Sequence, residues 1–310
     1  MQSRELIALD ELGIVRMRGP DVIRFLQGQL SSDVSQLSAE RSLLGGYHNP
    51  QGRAIALLRL LQLDAQDILA IVPRDLAATL VSRLARYILR AKVQITAELE
   101  SWRVGGCIGE LAAPAGPSLR SARDAQTRLG EGVLAQVGWG SPRWLLVCPA
   151  GAAAPELGFD RWAERDGSQD WLRLDIAEGV PQISAATSEQ FVAQMLNLDA
   201  IGAIAFDKGC YTGQEVIARA HYRGRVKRRM QRFLSRTPCR LAPGDAGQLA
   251  DGRSFKVVLA ASRPEGYCEF LAVAALPEGA SATPDADAPQ SSEAAALSVE
   301  ALPLPYALPD

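Results

Sequence analysis

The amino-acid sequence predicts an α+β protein. Three observations carry this expectation: apolar runs of strand length, short stretches with apolar residues at helical spacing, and a final part that reads as strands and turns alone. Gly19-Pro20 followed by Val22, Phe25, Leu26, Gln29 and Leu30 predicts a short helix with proline in its first turn. Ala54–Leu63 reads as a buried strand, with Ile68–Val72 as its hairpin partner. Leu76, Leu80, Val81, Leu84, Ile88 and Leu89 then recur at helical spacing, with Asp75 placed to cap the start. Strand character resumes at Val93–Ala97. The Ala/Gly/Pro-rich stretches Ala112–Pro117 and Pro149–Gly158 predict loops around strands at Gly132–Trp139 and Arg143–Cys148. Leu172–Ile176 reads as a strand, and Ser188–Leu196 as a helix capped by Ser188. Gln231–Ser235, Phe255–Ala260 and Glu269–Ala274 read as strands. Ser281–Glu293 is low in complexity and predicts a mobile loop, after which Leu297–Leu302 returns as the last strand of a small C-terminal barrel.

Bulk properties narrow the function classes. At 310 residues the chain suits two or three lobes, and 47% apolar residues with 22% charged ones mark a globular body. A net charge of −2 argues against a protein that coats nucleic acid, though a local basic site remains compatible with it. Residues 1–12 carry Arg4, Glu5, Asp10 and Glu11 without an apolar core, which points away from a secretory leader and toward the cytoplasm. The apolar runs are too short to span a bilayer. Five scattered cysteines without a Cys-x-x-Cys pair predict reduced thiols. With only His48 and His221 to add imidazole, a permanent zinc or iron–sulfur site is not expected.

The most informative segment is Lys208-Gly209-Cys210-Tyr211-Thr212-Gly213-Gln214-Glu215. Gly209 and Gly213 flank a tight loop, Thr212 is placed to cap a helix starting at Gln214, and Glu215 falls in its first turn. Cys210 near that helix start and near Lys208 has the surroundings that stabilise a thiolate. A structural turn with a buried cysteine fits the spacing equally well. Next come Arg219, His221, Arg223, Arg225, Lys227, Arg228 and Arg229. Read as a strand, residues 223, 225, 227 and 229 line one face with cations able to hold carboxylates or phosphates. Taken without its neighbouring loop, that row reads first as a solvated edge strand.

Lys-Gly-Cys-Tyr-Thr-Gly-Gln-Glu resembles the signature of the YgfZ family of folate-binding proteins, relatives of the glycine-cleavage T-protein (aminomethyltransferase). Phe25–Val34 (FLQGQLSSDV), the turn Asn49–Arg53, Gly179-Val180-Pro181, Gln190-Phe191, Asn197-Leu198 and Leu302–Tyr306 resemble other family segments, so the likeness spans nearly the whole chain. The resemblance implies a T-protein-like three-lobed fold. Two interwoven α+β lobes would occupy 1–229 around a central folate channel, and a C-terminal β-barrel 230–310, with the low-complexity loop near 281–293. It further implies support of iron–sulfur cluster assembly or repair in client enzymes, including those that modify tRNA.

Two alternatives stand beside that reading. An aminomethyltransferase acting on tetrahydrofolate needs a placed carboxylate. The T-protein pattern puts Pro73-Arg74-Asp75 and Ala177 where its carboxylates belong, with Glu178 offset by one residue on a presumed strand. An RNA-binding module would use the basic row, but no RNA-binding motif accompanies it, so nucleic acid is not expected as a direct ligand. Carried over by resemblance, Cys210 is the reactive thiol and a transient cluster ligand, with Lys208 lowering its pKa. Tyr211, Gly213, Gln214, Glu215, Arg223, Arg225, Gln27 and Asp33 are expected at the tetrahydrofolate, Arg223 and Arg225 on its carboxylates and Glu215 anchoring the loop. A polar helix end accounts equally well for Gln27 and Asp33. His48 reads as structural in a turn-like stretch, and Trp139, Trp144, Trp162 and Trp171 as core.

Overall fold

From Trp144 to Cys148 every residue is apolar, and the reason is that both faces of this strand are buried. Leu145 and Val147 enter one hydrophobic cluster, while Trp144, Leu146 and Cys148 enter another on the opposite face. A period of two thus serves two cores at once.

The structure, a computed structural model, describes residues 5–111, 122–154, 159, 161–163, 167–224, 226–276 and 296–309. In chain order its elements are β1 (Glu5–Ala8), β2 (Leu12–Arg18), α1 (Val22–Gln27), β3 (Leu43–His48), β4 (Ala54–Asp64), β5 (Asp67–Pro73), α2 (Ala77–Ala85), β6 (Gln94–Ala97), β7 (Trp102–Ile108), β8 (Gln126–Leu129), β9 (Gly132–Gln136), β10 (Arg143–Pro149), β11 (Arg161–Trp162), α3 (Ser168–Ala177), α4 (Gln214–Tyr222), β12 (Arg228–Ser235), β13 (Ala246–Gln248), β14 (Ser254–Ser262), β15 (Cys268–Ala275) and β16 (Val299–Leu302). The chain divides into two compact units. One comprises Met1–His48, Ala56–Trp171 and Gly202–Thr212; the other comprises Asn49–Ile55, Leu172–Ile201 and Gly213–Asp310. No helix among the described residues is long and apolar enough to cross a membrane.

The first unit is built on two sheets, one of order β3-β4-β5-β2-β6 and one of order β11-β1-β7-β10-β9-β8. One core is shared by Ile14, Leu61, Leu69 and Ile71 of the former and by Val104, Val133, Leu145 and Val147 of the latter. Hairpin β4–β5 forms as the paired apolar runs predict, with Leu60 opposite Ala70. The predicted helix at 76–89 is present as α2, but Asp75 does not cap it: Leu76 is the N-cap residue and no side chain caps the start.

The second unit carries a sheet of order β13-β14-β15-β12-β16. Its core is aromatic, with Phe233 and Phe255 rings 5.5 and 5.7 Å from that of Phe270. The last strand joins this sheet as expected, by antiparallel pairing of β16 with β12. No continuous ladder among the described residues closes the sheet into the expected barrel; its edges meet in the single parallel bridge Leu249↔Leu297. The low-complexity stretch 281–293 and the loop 112–117 lie outside the described residues, as does 155–158 of the other predicted loop.

Three expected elements take another form. Leu172–Ile176 is helical, within α3: buried Trp171 and Asp175 stand one helical turn apart, and the Leu-Arg-Leu-Asp-Ile alternation is too short to enforce a strand. Ser188–Leu196 is not one helix. Ala54 N donates to Phe191 O and Arg53 bridges Val192, which hold the chain extended there, and only Ala193–Leu196 winds into a 3₁₀ turn. Ser188 Oγ donates to Ile55 O rather than capping. Among the described residues of the row, 223, 227 and 229 do not share a strand face. α4 runs to Tyr222, Arg223 ends it with its N–H on Arg219 O, and β12 begins only at Arg228.

Arg229, expected beside the other cations, is 2% exposed and pairs with Asp199 at 3.0 Å. Its guanidinium also donates to Gln194 O. An Asp199→Ala change strands a buried guanidinium and is expected to cost about 3–5 kcal/mol of stability, read as a shifted urea midpoint.

Candidate functional site

Lys208 organises the signature loop. Its ammonium has three protons, and they go to the carbonyls of Gln27, Leu30 and Ser32 at 2.8, 2.7 and 2.7 Å. Those carbonyls face it because α1 ends at Gln27 and the chain turns through 28–33, leaving helix-terminal and turn C=O groups without backbone partners. Burial pushes the Lys208 ammonium down to about 8, while the charge of Asp33 opposes this. A second tie runs through Ser31, whose Oγ donates to Ala203 O while its carbonyl accepts from Ala205 N. Gly46 N in turn donates to Ser31 Oγ. Segment 203–211 is therefore held against the turn after α1 and against β3.

Tyr211 lies at the buried end of this loop. It is 7% exposed, its ring centroid is 5.2 Å from Lys208 Nζ, and burial pushes its phenol up to about 12. The ammonium over its ring is a cation–π contact. Cys210, between these two anchored residues, is exposed, whereas Cys107, Cys148 and Cys268 are buried. The loop thus holds its flanks and presents its thiol.

His48 sits at the end of β3, not in a turn, with its ring 6.5 Å from that of Tyr211. It is fully buried, and neither ring nitrogen has a hydrogen-bond partner. A side chain on Gly46 would run into the His48 ring, so this position on the same strand face must stay small. Burial lowers the His48 pKa from 6.5 to about 4, against a smaller opposing effect of the Gly46 backbone. Two more buried polar atoms of the turn after α1, Gln29 Oε1 and Ser32 Oγ, also lack hydrogen-bond partners.

The other expected residues have plainer surroundings. Gln27 Nε2 donates to Asp33 Oδ1 and Gln27 Oε1 accepts from Val34 N. Asp33 also accepts from Ser35 and Gln36, and these bonds, the Ser35 hydroxyl first, hold its carboxyl down to about 2. Both side chains help close the turn after α1. In the second unit α4 starts after Gly213, not under a Thr212 cap. Gly213 is the N-cap residue at φ +84°, and an added Cβ would meet Asn49 O at 2.5 Å. Gln214 opens the helix. Glu215 pairs with Arg219 on the same helix at 2.8 Å, so the loop's anchor is Lys208, not Glu215. Arg223 is exposed, and Arg225 lies outside the described residues. Among the described residues no group of three or more His, Cys, Asp and Glu side chains gathers into a metal site.

What the sequence concealed is that the acceptors for Lys208 are backbone carbonyls, invisible in residue types. The available signal was the pairing of a lone lysine with a helix end some 180 residues earlier.

The fold matches that of glycine cleavage system aminomethyltransferase T from Bartonella henselae with a TM-score of 0.69, covering 88% of this chain and 79% of that one at 14% identity. The chain is thus a protein of the aminomethyltransferase T fold. No family model matches it. The protein named tRNA-modifying protein YgfZ from Serratia proteamaculans is 34% identical over 227 residues, 72% of this chain and 68% of the relative. Its namesakes are 34% identical over 267 residues in Pectobacterium carotovorum, covering 83% and 79%, and 35% over 227 residues in Yersinia pseudotuberculosis, covering 72% and 68%. The chain belongs to the YgfZ family.

His48 supplies a test of the buried centre. Its folded pKa lies below its unfolded one, so stability is full above about 6.5 and falls as acidification toward about 4 protonates the unfolded chain preferentially. The loss attributable to His48 reaches about 3 kcal/mol, and His48→Leu is expected to flatten the urea-derived stability profile across that window.

Proposed function

We propose that this protein is a folate-binding accessory factor that supports assembly or repair of iron–sulfur clusters in client enzymes, tRNA-modifying enzymes among them. The observation that carries the reading is the exposed Cys210 held between two anchored residues, Lys208 and Tyr211, in a member of the YgfZ family. The name of the relatives, tRNA-modifying protein, supports the link to tRNA modification. The aminomethyltransferase T fold supports the choice of tetrahydrofolate as cofactor.

The chemistry of the residues present supports a folate. A pterin ring carries N–H donors and ring acceptors, and Gln29 Oε1 and Ser32 Oγ, buried without hydrogen-bond partners, are of the types that match them. Arg223 and Arg225 are the cations proposed for the glutamate carboxylates. Bound tetrahydrofolate supplies one-carbon and reducing chemistry. Lys208 and Tyr211 position the loop, and Cys210 is the residue proposed to touch a client's cluster. A single thiolate contributes one ligand, so the remaining ligands come from the client or from a small thiol.

Calorimetric titration with tetrahydrofolate under reducing conditions tests the reading in wild type, Cys210→Ala and Arg223→Ala/Arg225→Ala. Binding is expected to persist in the Cys210 variant and to weaken several-fold in the double variant. No binding heat from wild type at high ligand concentration overturns the folate assignment.

A further inference from the structure

Two cysteines of the second unit, Cys239 after β12 and Cys268 in β15, pack on one apolar cluster. Cys268 opens β15, and its N–H donates to Ser235 Oγ at the end of β12, 2.8 Å away. From Ser235 the chain runs to Cys239, whose N–H donates to Gly266 O at 3.0 Å. The segment after β12 therefore lies along the residues just before Cys268. Cys239 packs on the same apolar cluster that contains Cys268. Leu241 packs on that cluster too, and Cys239 bears electrostatically on the Cys268 thiol. The chain from 239 to 241 thus folds over Cys268. Cys239 is half-buried and reachable, while Cys268 is 2% exposed.

We propose that Cys239 and Cys268 form an oxidation site, a dithiol that closes to an intramolecular disulfide when it meets a low-molecular-weight disulfide. The reachable Cys239 thiolate attacks the small disulfide, forming a mixed disulfide and releasing one small thiolate. The Cys268 sulfur, losing its proton to solvent, then attacks the Cys239 sulfur and expels the second small thiolate. The two protein thiols are oxidised by two electrons, and the small disulfide is reduced to two thiols. The order follows from access, and from burial, which pushes the Cys268 thiol up to about 11 and leaves Cys239 the better first nucleophile. This site is independent of Cys210 and of the folate reading.

The test is incubation of the full chain with oxidised glutathione at neutral pH, alkylation of the remaining thiols, and peptide mapping by mass spectrometry. Wild type is expected to yield a cross-linked Cys239–Cys268 peptide and a melting temperature a few degrees higher than that of the reduced chain. Cys268→Ser is expected to trap glutathione on Cys239, and Cys239→Ser to leave Cys268 unmodified. Wild type that carries glutathione on Cys239 with Cys268 free overturns the proposal, as does wild type with both thiols unmodified.

Discussion

An ammonium with three protons meets three backbone carbonyls at Lys208, and most of what is distinctive about the first unit's site depends on that match. The carbonyls are exposed to it by the end of α1 and by the turn that Gln27 and Asp33 close. Each of those carbonyls would otherwise be an unsatisfied acceptor beside a packed core, and a charged donor gives stronger bonds than a neutral one. The same ammonium lies over the Tyr211 ring, so the lysine holds both a distant turn and its own loop. Its full complement of bonds also sets its role. With every proton on a carbonyl, Lys208 fixes where Cys210 stands, and it has no further proton to offer the thiol.

The second unit is organised by the same principle, a buried charge with its partners supplied by elements far apart in sequence. Arg229 meets Asp199 and the Gln194 carbonyl, and Asn197 Nδ2 donates to Met230 O. Tyr306 donates its hydroxyl proton to Gly179 O, tying the chain's last described stretch to the residues after α3. Glu269, fully buried in β15, is held by Arg232 and Arg263. These pairs explain why the arginines after Tyr222 do not form one functional row: Arg229 and Arg232 are consumed by buried carboxylates, while Arg223 stays exposed at the end of α4.

Strands with long apolar runs were legible from sequence because burial on both faces leaves little room for polar residues, as in β4, β5 and β10. The family was legible from Lys208–Glu215 and its flanking segments. Segments whose form depends on distant pairing were not. Alternation in Leu172–Ile176 resembles a strand until Trp171 and Asp175 are seen buried one turn apart. Apolar spacing in Ser188–Leu196 resembles a helix until Phe191 and Val192 are seen bonded to the Ala54 and Arg53 backbone. The basic row gave its own warning: Gly224 directly after Arg223 is a helix stop, and Val216, Ile217 and Ala220 before it have helical spacing. The centre at His48 was out of reach for another reason. Nothing in a Gly-Gly-Tyr-His run announces that its histidine is fully buried and neutral.

The loop around Cys210 and the turn after α1 form one mechanical unit, joined at Lys208 and Ser31. Amide hydrogen exchange on Lys208→Met, compared with wild type, measures this directly. Protection is predicted to fall together in 27–33 and 208–212, while the sheet β11-β1-β7-β10-β9-β8 stays as protected as before. Unchanged protection in 27–33, with loss confined to 208–212 or absent altogether, would contradict the claim that the lysine joins the two segments.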